Sequence, residues 1–170
     1  MPVLQAILDR RSIRKFQPGA PVSDEQIHDL LEAAMTAPSA HNGRPWEFVV
    51  VRDRSRLEAL RKAHPYSAML NTAALAIVVC MAVKESEAVT DGFMQQDCGA
   101  ATQNMLLQAA ADGLGACWCG VYPREALVQA VRAALDIPDT LIPFNFVAVG
   151  VPAETPKRRG RFEESKVHYW

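Results

Sequence analysis

A chain of 170 residues and 18.7 kDa suits one domain, long enough to build a core without a disulfide or metal staple. Its composition, 49% hydrophobic and 22% charged, excludes collagen-like, coiled-coil and disordered chains. Eighteen Lys and Arg against 19 Asp and Glu give a net charge of -1, which argues against the basic face of a nucleic-acid-binding protein.

Val3–Asp9 predicts a short helix with Leu4, Ile7 and Leu8 on one face. Pro18 and Pro21 then break the chain. Ser23-x-x-Gln26 is a capping box, and Ile27, Leu30, Leu31 and Ala34 form the apolar stripe of a helix that ends before Pro38. Trp46–Val51 reads as a strand, Arg54–Ala63 as a polar surface helix. Leu75–Ala82 is apolar throughout, the pattern of a central strand buried on both faces. Gly92–Asp112 predicts the longest helix, with Ala100, Ala101, Asn104, Leu107, Gln108 and Ala111 on a face suited to close helix packing. Residues 113–120 (GLGACWCG) read as a turn, Pro123–Leu135 as a helix and Phe144–Gly150 as a strand. The tail, 152–170, is basic and then amphipathic, with no core of its own. Strands separated by helices indicate a layered α/β or α+β fold.

The placement of charge is more informative than its sum. Residues 10–15 (RRSIRK) and 157–161 (KRRGR) hold eight of the 18 basic residues and no acid. Arg10, Ser12 and Arg14 follow the first helix directly, and guanidinium forks with a hydroxyl donor suit a phosphate. The two clusters suit one compact anion gripped from both sides. A dinucleotide fingerprint fails because Trp118 stands where its third glycine belongs, and no GxxxxGK[ST] or GxSxG occurs. His28, His41, His64 and His168 have no metal-site spacing. Cys117 and Cys119 flank Trp118 as C-x-C; they read as small buried side chains, with a metal or redox pair as the alternative. The longest apolar run, Ala73–Val83, is too short for a membrane helix, and the chain's start lacks a signal pattern. A cytoplasmic protein with free thiols is expected.

Four segments in order carry a family resemblance: Arg10-Arg11-Ser12-Ile13-Arg14-Lys15-Phe16; Ala37-Pro38-Ser39-Ala40-His41-Asn42-Gly43-Arg44-Pro45-Trp46; the long helix Asp97–Asp112 running into Gly113–Trp118; and Val147–Pro152 with the basic segment after it. Together they resemble the nitroreductase family of FMN-dependent oxidoreductases, nearly end to end. That resemblance implies a three-layer sandwich, with a central, mainly antiparallel sheet flanked by helices, in an intertwined homodimer with FMN at the interface. It implies an FMN-binding domain over 1–151 and a C-terminal arm over 152–170 that packs on the partner. Arg10, Arg11 and Ser12, with Arg159 or Arg161, would hold the FMN phosphate, and Arg14 the pyrimidine edge of the ring. Trp118, Cys119, Gly120 and Val121 would present backbone N–H groups to the flavin. Pro38, Ser39, Ala40 and Asn42 would reach the flavin of the other subunit. The implied reaction takes hydride from NADH or NADPH and passes it to a nitroaromatic, quinone or other small conjugated acceptor, with no catalytic protein side chain and no metal. Other flavin chemistry, or a binding module without turnover, is the alternative. Arg44 departs from the family's Gln before Pro-Trp, and the short chain leaves the site open or lidded by loops near Tyr66–Leu70.

Overall fold

The computed structural model describes residues 3–83, 92–157 and 160–170. Its helices are α1 (Val3–Asp9), α2 (Asp24–Met35), α3 (Arg54–Ala63), α4 (Phe93–Ala111) and α5 (Glu125–Leu135). Its strands are β1 (Trp46–Val51), β2 (Leu75–Ala82), β3 (Gly115–Gly120) and β4 (Leu141–Gly150).

The strands form one sheet in the order β1-β2-β4-β3, every neighbour antiparallel. The antiparallel sheet makes the fold α+β. Alternate side chains along each strand supply two separate cores. On one side Ala76, Val78, Phe146, Ala148, Cys117 and Cys119 pack with Leu57 and Leu60 of α3 and Val128 and Val131 of α5. On the other, Ile77, Val79, Met81, Val147 and Val149 pack with Leu30 and Ala34 of α2 and Ala101, Met105 and Ala109 of α4. The sheet therefore lies between two helical layers, as the three-layer expectation requires. Truncating a fully buried leucine such as Leu30 or Leu57 to alanine should cost about 2–5 kcal/mol.

The helix signals act as the sequence predicts. Ser23 accepts from Gln26 N at 3.1 Å, and the Gln26 side chain accepts from Ser23 N at 3.0 Å, closing the capping box. Asp53 caps α3 by accepting from Arg56 N at 2.9 Å.

Several expectations change. Residues 115–120 are not part of a turn: they form β3, paired with β4 from Gly115↔Gly150 to Gly120↔Asn145. Small residues and glycines masked the strand in the sequence. They are needed there, because a Cβ on Gly115 would lie 2.8 Å from Ile13 Cγ2 and 3.1 Å from Phe16 Cε1. β4 begins at Leu141, three residues early, carrying Pro143 where the ladder with β2 shifts register. Ile7 and Leu8 of α1 are exposed. On α4 the face packed within the chain is Cys98, Ala101, Thr102, Met105, Leu106 and Ala109, while Ala100, Leu107 and Ala111 of the Ala-rich face, expected to pack within the chain or across a dimer, are half-buried. Apolar residues run right round α4, so periodicity could not single out the packed face. No helix among the described residues is long and apolar enough to cross a membrane.

Candidate active site

β3 is an edge strand, and the segment after α1 lies along its free side. Ser12 bridges Ala116 in parallel, and Ile13 N donates to Ala116 O at 3.0 Å. From the other side the chain after β4 clamps the same segment. Gln17 N donates to Val151 O at 2.9 Å, Ala153 N to Lys15 O at 2.8 Å, and Phe16 bridges Pro152. The Glu154 carboxylate accepts from Arg14 N at 2.6 Å and Lys15 N at 3.0 Å, and these bonds hold its pKa below the ordinary value. Arg11 is used structurally, donating to Leu8 O and Arg10 O at 2.9 and 2.7 Å.

The two basic clusters thereby meet. The guanidinium of Arg10 is half-buried, and burial, then the charges of Arg11 and Arg161, push its pKa down. The ion pairs formed among the described residues use neither Arg10, Arg14 nor Arg161. A half-buried cation crowded by two others, as Arg10 is by Arg11 and Arg161, is the electrostatic form of an anion site. Arg159 lies outside the described residues, as does Arg158.

Beside this cluster opens a cavity of about 450 Å³, lined among others by Arg14, His64, Met69, Cys119, Gly120 and Val121. A second hollow of about 590 Å³ shares Arg14, Tyr66 and Met69 with it and extends along Lys15 and Phe16. The backbone of β3 faces this space in a defined way. Val121 N donates to Phe144 O at 3.1 Å, and the ladder alternates, so Cys117, Cys119 and Val121 turn toward β4. Ala116, Trp118 and Gly120 turn outward: Ala116 O accepts from Ile13, Gly120 O from His64 Nε2 at 3.0 Å, and the N–H groups of Trp118 and Gly120 point off the free edge. The indole of Trp118 goes the other way, edge-on to Phe144 at 6.1 Å, so Trp118 offers this edge its backbone.

Of the sequence-predicted residues, Arg10, Ser12, Arg14, Arg161 and the Trp118–Val121 run converge here, with Arg11 alongside. Pro38, Ser39, Ala40 and Asn42 do not. They precede β1 at the opposite edge of the sheet, and none of them lines the cavity. Their loop is held in an unusual shape, with His41, Asn42 and Arg44 at φ of 52°, 54° and 46°. Ala40 N donates to the buried Asp97 of α4 at 3.1 Å, and Arg44 N to Ser39 Oγ at 3.0 Å. His64 and Glu154 escaped sequence reasoning. His64 is buried and ties the end of β3 to the loop carrying Tyr66, whose N–H donates to Nδ1 at 3.3 Å. His64 reaches Gly120 O, and Glu154 the N–H groups of Arg14 and Lys15, far away in sequence, which leaves no local signal.

The chain matches the nitroreductase family over residues 7–65 and 58–151. It is 47% identical over 168 residues to a protein of Methanothermobacter thermautotrophicus named "Putative NADH dehydrogenase/NAD(P)H nitroreductase", covering 99% of this chain and 86% of that one. A crystal structure of the same name from Parabacteroides distasonis superposes with a TM-score of 0.91 at 38% identity, over 98% and 96% of the two chains. A "putative nitroreductase in complex with fmn" from Desulfovibrio desulfuricans superposes with a TM-score of 0.85 at 32% identity, over 100% and 97%.

Proposed function

The chain belongs to the nitroreductase family and is an NAD(P)H-dependent, FMN-using oxidoreductase, and from that premise we propose that it passes hydride to a small conjugated acceptor such as a nitroaromatic or quinone. The observation that carries the proposal is the crowding of Arg10 by Arg11 and Arg161 beside β3, with Arg14 lining the cavity at the strand's open edge.

The residues present fit the cofactor. Arg10, Ser12 and Arg161 would hold the phosphate: a half-buried guanidinium crowded by two like charges gains most from a dianion. Arg14 lines the neighbouring cavity and would set a fixed cation against the pyrimidine edge of the ring, favouring the form that carries negative charge there. The outward N–H groups of Trp118 and Gly120 would meet the ring's polar edge. Gly120 is exposed, and a Cβ there would touch nothing, so a flat ring can approach the strand end closely. When bound, FMN supplies hydride acceptance and donation at N5. Around it the chain's own residues bind, orient and screen; no side chain is required as nucleophile or essential acid. A small ring system can enter the cavity beneath Tyr66, which is largely exposed.

Pro38–Asn42 would serve the site of a second copy. Within one chain they stand three strands away from Arg10, yet their loop is rigidly built. A homodimer would bring them together. In the tail, Phe162, Val167, Tyr169 and Trp170 are exposed, an apolar set that would pack on the partner.

The test is an absorbance spectrum of freshly purified protein before and after anaerobic NADPH and then NADH. A flavin spectrum bleached by one donor and restored by a nitroaromatic or quinone is expected. A flavin spectrum inert to both donors would overturn the proposed turnover, and a colourless protein that takes up no FMN would overturn the site.

A further inference from the structure

We propose that His64 is a positioning residue: as the neutral tautomer with its proton on Nε2, it bridges the two walls of the cavity at the β3 edge and sets the gap that admits a planar acceptor. The consequence for acceptors rests on the function proposed above; the bridge itself does not.

One wall is the end of β3, from Trp118 to Val121, and the other is the loop carrying Tyr66 and Met69. Each wall is braced from behind. Val121 N donates to Phe144 O at 3.1 Å, which ties the strand end to β4. In the loop, the hydroxyl of the fully buried Ser67 donates to His64 O at 2.7 Å, and Leu70 N donates to Ser67 O at 2.9 Å. The Arg54 guanidinium donates to Leu70 O and Ala73 O, both at 2.9 Å. Neither set of bonds fixes one wall against the other. Among the described residues, the hydrogen bond that runs between them is the one His64 makes to Gly120.

The partners of the ring decide its state. Tyr66 N–H can only donate, and it lies 3.3 Å from Nδ1, so Nδ1 carries no proton. Gly120 O can only accept, and it lies 3.0 Å from Nε2, so the proton is there. Both ring nitrogens are thereby spent on backbone groups, and His64 acts through the groups it holds. The residue is only 4% exposed. Its ring stands edge-on to Phe146, 5.2 Å away at 84°, and to Tyr66, 6.2 Å away at 73°. A ring wedged in this way transmits the position of one wall to the other. On the strand side its bond falls on Gly120, the residue type with least backbone restraint of its own, whose N–H points off the free edge. On the loop side it falls on Tyr66, whose ring lines the cavity. Cutting the bridge frees the Tyr66 wall to move outward, so broader ring systems gain most.

The experiment uses the purified full chain and two variants that cut opposite ends of the bridge. His64→Asn keeps an oxygen at the level of Nδ1 for Tyr66 N–H and no longer reaches Gly120. His64→Gln carries an amide nitrogen to the level of Nε2 for Gly120 O and loses the acceptor for Tyr66. Amide exchange at Val121 and Tyr122 should speed up about fivefold or more in His64→Asn with Tyr66 unchanged, and His64→Gln should show the reverse. Proton–nitrogen NMR of the wild-type imidazole, which needs no variant, should place the proton on Nε2. In turnover with NADPH or NADH, the ratio of kcat/KM for naphthoquinone (two rings) to that for benzoquinone (one ring) should rise about fivefold or more in both variants. A proton on Nδ1, or exchange that does not distinguish the variants, would overturn the bridge. A ratio within about twofold of wild type in both variants would overturn its role in acceptor choice. The tautomer and exchange readings need neither flavin nor turnover. A protein that shows both and never reduces a flavin therefore refutes only the function proposed above, and one that turns over with an unchanged ratio refutes only the positioning role.

Discussion

Replacing Arg10 with alanine should affect the free and the FMN-bound protein in different ways. Without ligand, the half-buried guanidinium is crowded by Arg11 and Arg161 and has no carboxylate partner among the described residues, so its removal relieves repulsion. The melting temperature of the apoprotein should stay level or rise slightly. With FMN, the lost charge-assisted bond is worth about 1.5–3 kcal/mol, roughly 10- to 150-fold in Kd. At FMN near 100 times the wild-type Kd, binding stabilises the native state by about 2.7 kcal/mol. A 30-fold weaker Kd leaves about 0.9 kcal/mol of this. For a domain of this size the missing 1.8 kcal/mol or so lowers the holoprotein's Tm by about 4–7 °C. Paired thermal scans of apo and FMN-saturated protein read both signs at once. A wild-type FMN-induced shift in Arg10→Ala would refute the phosphate assignment. An apo Tm that falls as far as the holo Tm would show that Arg10 supports the fold rather than the ligand.

Three further outcomes are expected. Gly115→Ala places a methyl 2.8 Å from Ile13 and 3.1 Å from Phe16, and should destabilise by about 1–3 kcal/mol in urea unfolding while weakening FMN retention, because Ile13 sits between Ser12 and Arg14; wild-type stability would contradict the packing. The folded-state pKa of Glu154 is lowered by the N–H groups of Arg14 and Lys15, so its stabilisation is present above the unfolded carboxylate's pKa and is lost as pH falls through the folded value. Between pH 5 and 3 wild type should therefore lose stability faster than Glu154→Gln, and parallel curves would remove Glu154 from the clamp. Asp97→Ala deprives Ala40 N–H of its acceptor and should cost about 1–3 kcal/mol, with faster amide exchange at Ala40 and recovery in Asp97→Asn; unchanged exchange would mean the loop holds its shape without α4.

Much of the chain was legible locally because local forces decide it. Ser23 and Gln26 cap α2 wherever that helix goes, and β2 is apolar throughout because helices cover both faces of its sheet. The basic clusters at 10–15 and 157–161 were visible as charge, and their chemistry already pointed to one anion. Their meeting was not visible, since it depends on the Glu154 carboxylate and the Val151 carbonyl accepting from backbone N–H groups of residues 14–17, which carry no side-chain signal. β3 was hidden for a related reason: its glycines and alanine have weak strand propensity, and only the ladder with β4 and the close approach of Ile13 and Phe16 select it. By itself the sequence determined the helices, the central strand and the chemical inventory of the site, because capping, periodicity and charge act over a few residues. The tertiary structure alone decided that β3 is an edge strand, that Arg14 and the end of β3 line one cavity, and that Pro38–Asn42 stand across the sheet from Arg10, because each depends on contacts between residues far apart in the chain.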